Sequence, residues 1–257
     1  MKKIWIIVVG CLILCACSVK EDRSACPCWL EVELRGGAER TVEVSVWAGS
    51  LVCSAEALLQ EGQAREELEI PRGRLRVSAF SGVHGCLRSG EALSVPEGGE
   101  MDELYADASS LDARSDLAKT ALSLHKQFVR LHMGIVGSDS SASPFRIEVQ
   151  GAVAGFSLSS LQPVPGAFRV SLTPVIGTYH RVVLPRQRPG DVLNLVFYGH
   201  GDGPAAAPRA VYPLGERLEQ LGFDWMAADL DDVYLDIDYA EAGITLRLLD
   251  WEKEEVI

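Results

Sequence analysis

The chain has 257 residues, of which 47% are hydrophobic and 23% charged, and it carries a formal net charge of −12. That apolar content is enough for an ordinary globular core and argues against long disorder. The acidic balance repels phosphate backbones and argues against nucleic acid as a partner.

Lys2 and Lys3 give a basic start, and residues 4–16, IWIIVVGCLILCA, follow without a charge. A membrane-spanning helix needs about 20 apolar residues. The run is shorter, so it reads as an export signal. Its end, Leu14-Cys15-Ala16-Cys17, resembles a bacterial lipobox: a large aliphatic at −3, a small residue at −1 and cysteine at +1. The thiol at +1 is the nucleophile that takes up a diacylglyceryl group. Cys11 would leave too short an apolar core, and Cys15 follows the bulky Leu14, so lipidation is assigned to Cys17. Residues 1–16 are expected to be removed, and residues 17–25 to form a lipid-anchored tether. Loss of Lys2 and Lys3 lowers Lys+Arg from 24 to 22 against 36 acids, a mature charge of −14. Lys20-Glu21-Asp22 resembles the lysine-plus-two-acids signal of lipoproteins on the outer face of the outer membrane. The expected location is therefore the outer membrane, lipid-anchored and exposed at the cell surface.

Four cysteines remain downstream: Cys26, Cys28, Cys53 and Cys86. Export to an oxidising compartment makes them candidate disulfide partners, with three full pairings open. A bridge between Cys26 and Cys28 is disfavoured by the single intervening Pro27. A zinc site from Cys26, Cys28, His84 and Cys86 matches no common ligand spacing, so neither a metal nor a cofactor is expected.

From Trp29 onward the dominant period is two. Leu30, Val32 and Leu34 alternate with Glu31, Glu33 and Arg35, and Val42, Val44 and Val46 repeat the pattern after Gly36-Gly37. The spacing predicts two half-buried strands joined as a hairpin. Glu67–Ile70, Leu75–Phe80 and Phe128–Ile135 are further strands, the last closing the first half, and a short helical segment is expected over Ser115–Leu124. "GSDSSASP", 137–144, is a linker by composition. Beyond it come Phe145–Val149, Phe168–Leu172, Tyr179–Leu184, Val192–Tyr198, Val233–Tyr239 and Ile244–Trp251. One helix is expected in "PLGERLEQLG", with Leu214, Leu218 and Leu221 on one side and Gly222 as its stop. The pattern is all-β: two tandem antiparallel β-sandwiches, 26–136 and 145–257, with one or two short helices.

No catalytic frame is found. The five histidines (84, 125, 132, 180 and 200) stand in no zinc-protease spacing, and neither a nucleophile elbow nor a phosphate-binding loop is present. The acidic run 224–239 lacks the glycine and terminal glutamate of a calcium loop. It reads as a strand with Val233, Leu235, Ile237 and Tyr239 inward and its acids solvated, while Trp225 and Trp251 read as packing residues.

The chain resembles the FimB-like family of fimbrial anchor subunits. The likeness runs through Cys17-Ser18-Val19-Lys20-Glu21-Asp22-Arg23, Cys26-Pro27-Cys28, Lys126-Gln127-Phe128 and Pro185-Arg186-Gln187. It continues with Leu214-Gly215-Glu216, Asp224-Trp225, Asp236-Ile237-Asp238-Tyr239 and Trp251. The resemblance implies transthyretin-like sandwiches and a non-enzymatic lipoprotein. Such a protein fixes a pilus of fimbrillin-type shaft subunits to the outer membrane, with a second implied role in limiting fibre length. Tip or accessory subunits and surface glycan- or protein-binding lipoproteins are the alternatives.

Overall fold

A computed structural model describes residues 26–136, 145–199, 206–238 and 243–249. Cys17, the tether, the 137–144 segment, His200, Tyr239 and Trp251 lie outside the described residues.

Alternation produces β1 (Cys28–Arg35): Cys28, Leu30, Val32 and Leu34 are at most 1% exposed, while Trp29, Glu33 and Arg35 face outward. Next come β2 (Arg40–Trp47), β3 (Leu51–Leu59), β4 (Gln63–Ile70) and β5 (Arg74–Ser81). β1 and β2 are not the expected hairpin. β1 pairs antiparallel with β4, whereas β2 pairs with β3 and β5 in the facing sheet. Alternation specifies which face is buried, not which strand is the neighbour. Gly36-Gly37 carries the chain across between sheets, and a Cβ on Gly36 would stand 2.9 Å from Leu59 Cδ2.

The short hairpin β6 (Leu87–Ser89) and β7 (Ala92–Ser94) precedes β8 (Tyr105–Asp112) and β9 (Leu117–Ser123). β9 occupies the stretch expected to be helical. It lies parallel to β1 along its length, with Ala118 and Leu122 turned into the core. Its helix-favouring Ala, Lys and Leu are overridden by that pairing, since propensity is weaker than tertiary context.

After β10 (His125–Lys126) come β11 (Phe128–Val136), β12 (Phe145–Ser157), β13 (Gln162–Leu172), β14 (Tyr179–Pro185), β15 (Leu193–Gly199) and β16 (Ala210–Tyr212). The helix α1 (Leu214–Gln220), β17 (Asp232–Asp238) and β18 (Gly243–Leu249) end the described chain. Leu214 and Leu218 are buried, but Leu221 is 53% exposed because the helix ends before it, and Gly222 follows at φ +91°. The strand expected to close the first half, β11, has its partners in the second: β14 antiparallel and β17 parallel.

The two halves share one topology. Sheet β4-β1-β9 corresponds to β14-β11-β17, and β8-β5-β2-β3 corresponds to β16-β15-β12-β13. In each half the first strand lies between one antiparallel and one parallel neighbour, a departure from a wholly antiparallel sandwich. β18 is an addition, paired to the free side of β17. All-β sandwich architecture is thus established, with each sandwich closing over its own apolar cluster. One cluster centres on Leu30, Val44 and Val77, the other on Leu131, Val149 and Leu235.

A third cluster joins them. Trp47, Phe80 and Ala106 meet Leu93, Phe128, Phe156 and Val183. Trp47 and Phe80 come from β2 and β5, so the five-stranded sheet has its outer side covered by the second half. Arg88 of β6 reinforces this cover with an ion pair to Glu43 of β2 at 2.8 Å. The hairpin β6–β7 pairs with β12 through Phe156↔Leu93, so a connection in the first half completes a sheet of the second.

Candidate functional site

Three of the motifs that carried the family resemblance come together at this joint. Lys126, which ends β10, is 1% exposed, and its Nζ reaches Asp232 Oδ1 at the start of β17 at 2.5 Å. The same carboxylate oxygen accepts the backbone N–H of Arg130 at 2.9 Å. The Arg130 guanidinium holds Glu103 through two bonds of 3.0 and 3.1 Å, and Arg181 meets Glu103 at 2.9 Å. Gln127 donates to the Ala106 carbonyl at 3.2 Å. His125 Nδ1 lies 2.8 Å from Asp229, whose other oxygen accepts the Lys126 N–H at 2.6 Å.

Arg186 fastens the loop between α1 and β17. Its two terminal nitrogens donate to the carbonyls of Trp225 at 2.7 Å, Ala227 at 2.8 Å and Ala228 at 3.0 Å. Burial pulls its guanidinium down to about 10. Trp225 is 1% exposed and packs edge-on against Phe223 at 4.5 Å. The motifs Lys126-Gln127-Phe128, Pro185-Arg186-Gln187 and Asp224-Trp225 are therefore parts of one lock. That Lys126 and Asp232 are partners, 106 positions apart, was beyond sequence reasoning. A lysine just before an apolar strand and an aspartate opening a second one were the available signals.

Glu103 supplies a pH dependence. Hydrogen bonding from Arg130 holds its carboxyl below the usual range, with burial opposing. A depressed folded value means that ionised Glu103 stabilises the fold above its unfolded value of about 4.3. That contribution is lost as pH falls through the lowered folded value. Thermal melts between pH 7 and pH 3 should fall less steeply on the acid side in Glu103→Gln. Parallel acid limbs in the two proteins would refute the assignment.

The four cysteines carry free thiols and occupy different surroundings. Cys28 and Cys53 pack with the first core, Cys86 sits between the sandwiches with its sulfur 3.8 Å from that of Met101, and Cys26 is exposed. Burial raises the Cys28 and Cys53 thiols and pushes Cys86 up to about 11. A thiolate-specific alkylating reagent should label Cys26 rapidly in the reduced native protein, and Cys28 and Cys86 only after unfolding. Equal labelling of all four under native conditions would contradict these placements. No group of His, Cys, Asp and Glu among the described residues is arranged to hold a metal, so the zinc alternative's side chains are not brought together.

The acidic run forms the expected strand with its apolar residues inward, but Asp232 at its start is buried in the ion pair with Lys126 rather than solvated. Val233, Leu235 and Ile237 are at most 5% exposed, and Asp236 accepts the Tyr179 hydroxyl at 2.9 Å. A cleft of about 740 Å³ opens beside the joint, where Arg74 and Arg76 of β5 face Glu91 on the β6–β7 turn and Ser159 on the turn between β12 and β13. Arg76 closes part of it by donating to the Ser159 carbonyl at 3.1 Å. No helix of the described residues is long and apolar enough to cross a membrane.

No family model and no curated protein matches the chain. Solved structures do match. A candidate polysaccharide-binding protein of Bacteroides thetaiotaomicron aligns with a TM-score of 0.59 at 12% identity, over 88% of this chain and 99% of that one. A candidate adhesin of Bacteroides ovatus aligns at 0.58 and 14% identity, over 91% and 98%. The fimbrial anchor protein Mfa2 of Porphyromonas gingivalis aligns at 0.58 and 12% identity, over 88% and 98%. At these identities the likeness is one of fold, and it extends over nearly the whole of each of those chains.

Proposed function

We propose that this protein is a non-enzymatic lipoprotein that anchors a fimbrium to the outer membrane. The observation that carries the reading is Cys17 in its lipobox, followed at once by a polar tether. The fold behind it is similar to that of a fimbrial anchor protein over most of its length. Residues 1–16 are removed on export, 17–25 tether the lipid to the fold, and the first sandwich ends before Phe128. The partners are shaft subunits of fimbrillin type. They engage the protein by adding a strand to a sheet edge, where main-chain bonds and an apolar groove act together.

The role is mechanical, and the joint suits it. A load applied to one sandwich reaches the other through an apolar cluster and a buried ion pair rather than through a flexible link alone. Deleting the gene should leave shaft subunits made and exported, with fibres lost to the medium. Shearing cells and comparing shed with cell-bound fibres tests this. Full retention of fibres of normal length would overturn the anchor role. The cleft holding Arg74, Arg76 and Glu91 favours a glycan-binding lipoprotein as the second reading. Retained fibres together with lost saccharide adhesion would support it.

A further inference from the structure

One end of the first sandwich differs from the rest of its surface. The register places the start of β1, the end of β4, the start of β5, the end of β8 and the start of β9 at that end. The end of β2 and the start of β3 join them there. Four large apolar side chains are exposed in this rim: Trp29 (54%), Leu51 (45%), Val52 (41%) and Leu117 (44%). Trp29 and Leu117 are direct neighbours across β1 and β9. Trp47 and Trp225 are 4% and 1% exposed, so Trp29 is the exposed tryptophan among the described residues.

Cations stand in the same rim. Arg74 opens β5, and the Arg114 side chain, 68% exposed, forms an ion pair with Asp112 that a lipid phosphate would compete for. Arg72 fixes the chain's entry there: its Nε donates to the Cys26 carbonyl at 2.7 Å and its Nη1 to the Arg114 carbonyl at 2.6 Å. The described chain therefore begins at this rim. Eight residues separate Cys26 from Cys17, a span of about 30 Å at full stretch. The second sandwich covers the outer side of β2 and β5 and reaches the rim only at the cleft beside Arg74, leaving Trp29, Leu51, Val52 and Leu117 exposed.

We propose that this rim is a membrane-docking surface, resting on the phosphate-bearing lipid bilayer into which Cys17 inserts its acyl chains. The inference rests on the anchor reading. Tryptophan favours the headgroup boundary, because its ring is apolar and its N–H remains hydrated. Leu51, Val52 and Leu117 enter the same layer, and Arg74 and Arg114 meet lipid phosphates. A patch this small would bind poorly from free solution. A tether of about 30 Å turns docking into an intramolecular step at high effective concentration. Docking fixes the tilt of the first sandwich.

The test uses the full lipidated chain in phosphatidylglycerol–phosphatidylcholine vesicles, with bromine on the upper acyl-chain carbons. Flotation reports the anchor, and quenching of tryptophan fluorescence reports docking. Quenching should be clear in the native protein and fall at least twofold in Trp29→Phe, with flotation unchanged. Arg74→Gln combined with Arg114→Gln should weaken it in phosphatidylglycerol and leave it unchanged in phosphatidylcholine alone. A chain that floats with equal quenching in native protein and Trp29→Phe refutes docking and leaves the anchor standing. A chain that does not float refutes both.

Discussion

Replacing Asp232 with Ala should destabilise the protein by about 3–5 kcal/mol, the usual cost of leaving one member of a buried ion pair without its partner. Lys126 is 1% exposed and has its ion pair with Asp232. Without that carboxylate an ammonium would remain buried beside the Phe128 ring, 5.1 Å from its centroid. The reverse change should cost less. Lys126→Met leaves Asp232 with the Arg130 N–H at 2.9 Å and the Arg130 guanidinium at 3.4 Å, so a loss of about 1–3 kcal/mol is expected. The double variant Lys126→Met, Asp232→Leu should recover part of the deficit, because it removes both desolvated charges. At about 2–4 °C per kcal/mol for a chain of this size, the Asp232 variant should melt roughly 10 °C lower. Calorimetry of the three variants checks the order, and a Lys126 variant less stable than the Asp232 variant would contradict the asymmetry.

Cys17→Ala should release the fibres as completely as deleting the gene, although the sandwiches fold unchanged. Each acyl CH₂ removed from the bilayer forfeits about 0.8 kcal/mol, and a lipoprotein cysteine holds two or three such chains. No helix of the described residues offers a substitute span. The variant is best exported behind an ordinary, non-lipoprotein signal, since an uncleaved precursor would itself be retained. Palmitate labelling should vanish, near-ultraviolet circular dichroism should match the native protein, and fibres should appear in the medium. Cys11→Ala and Cys15→Ala, both upstream of the cleavage site, should change nothing. Labelling that persists without Cys17 would move the lipid site, and fibres retained without any labelling would show that attachment depends on something else.

The lock at the joint and the rim at the tether end also separate stability from position. Asp232→Ala should weaken the union of the sandwiches without altering flotation on vesicles. Trp29→Phe should alter contact with lipid without altering the melt. Each variant is the other's control.

The sequence by itself determined which faces are buried. The two-residue alternation of Leu30, Val32 and Leu34, and of Val233, Leu235 and Ile237, placed strands correctly because burial of one face follows directly from a period of two. Pro213, Gly222 and the spacing of Leu214 and Leu218 placed the helix for equally local reasons, while the exposure of Leu221 followed from where that helix stops. The proposed export signal and lipid site rest on the sequence alone, since a signal peptidase reads a short linear motif without reference to the fold. Only the tertiary structure decided the neighbours. β1 and β2 separate into facing sheets, β9 becomes a strand because β1 lies beside it, and β11 joins strands that follow it by many residues. Pairing is a long-range choice, set by the closing of two cores and of the joint between them. No local period encodes it, and Lys126 acquired its meaning only when Asp232 was folded against it.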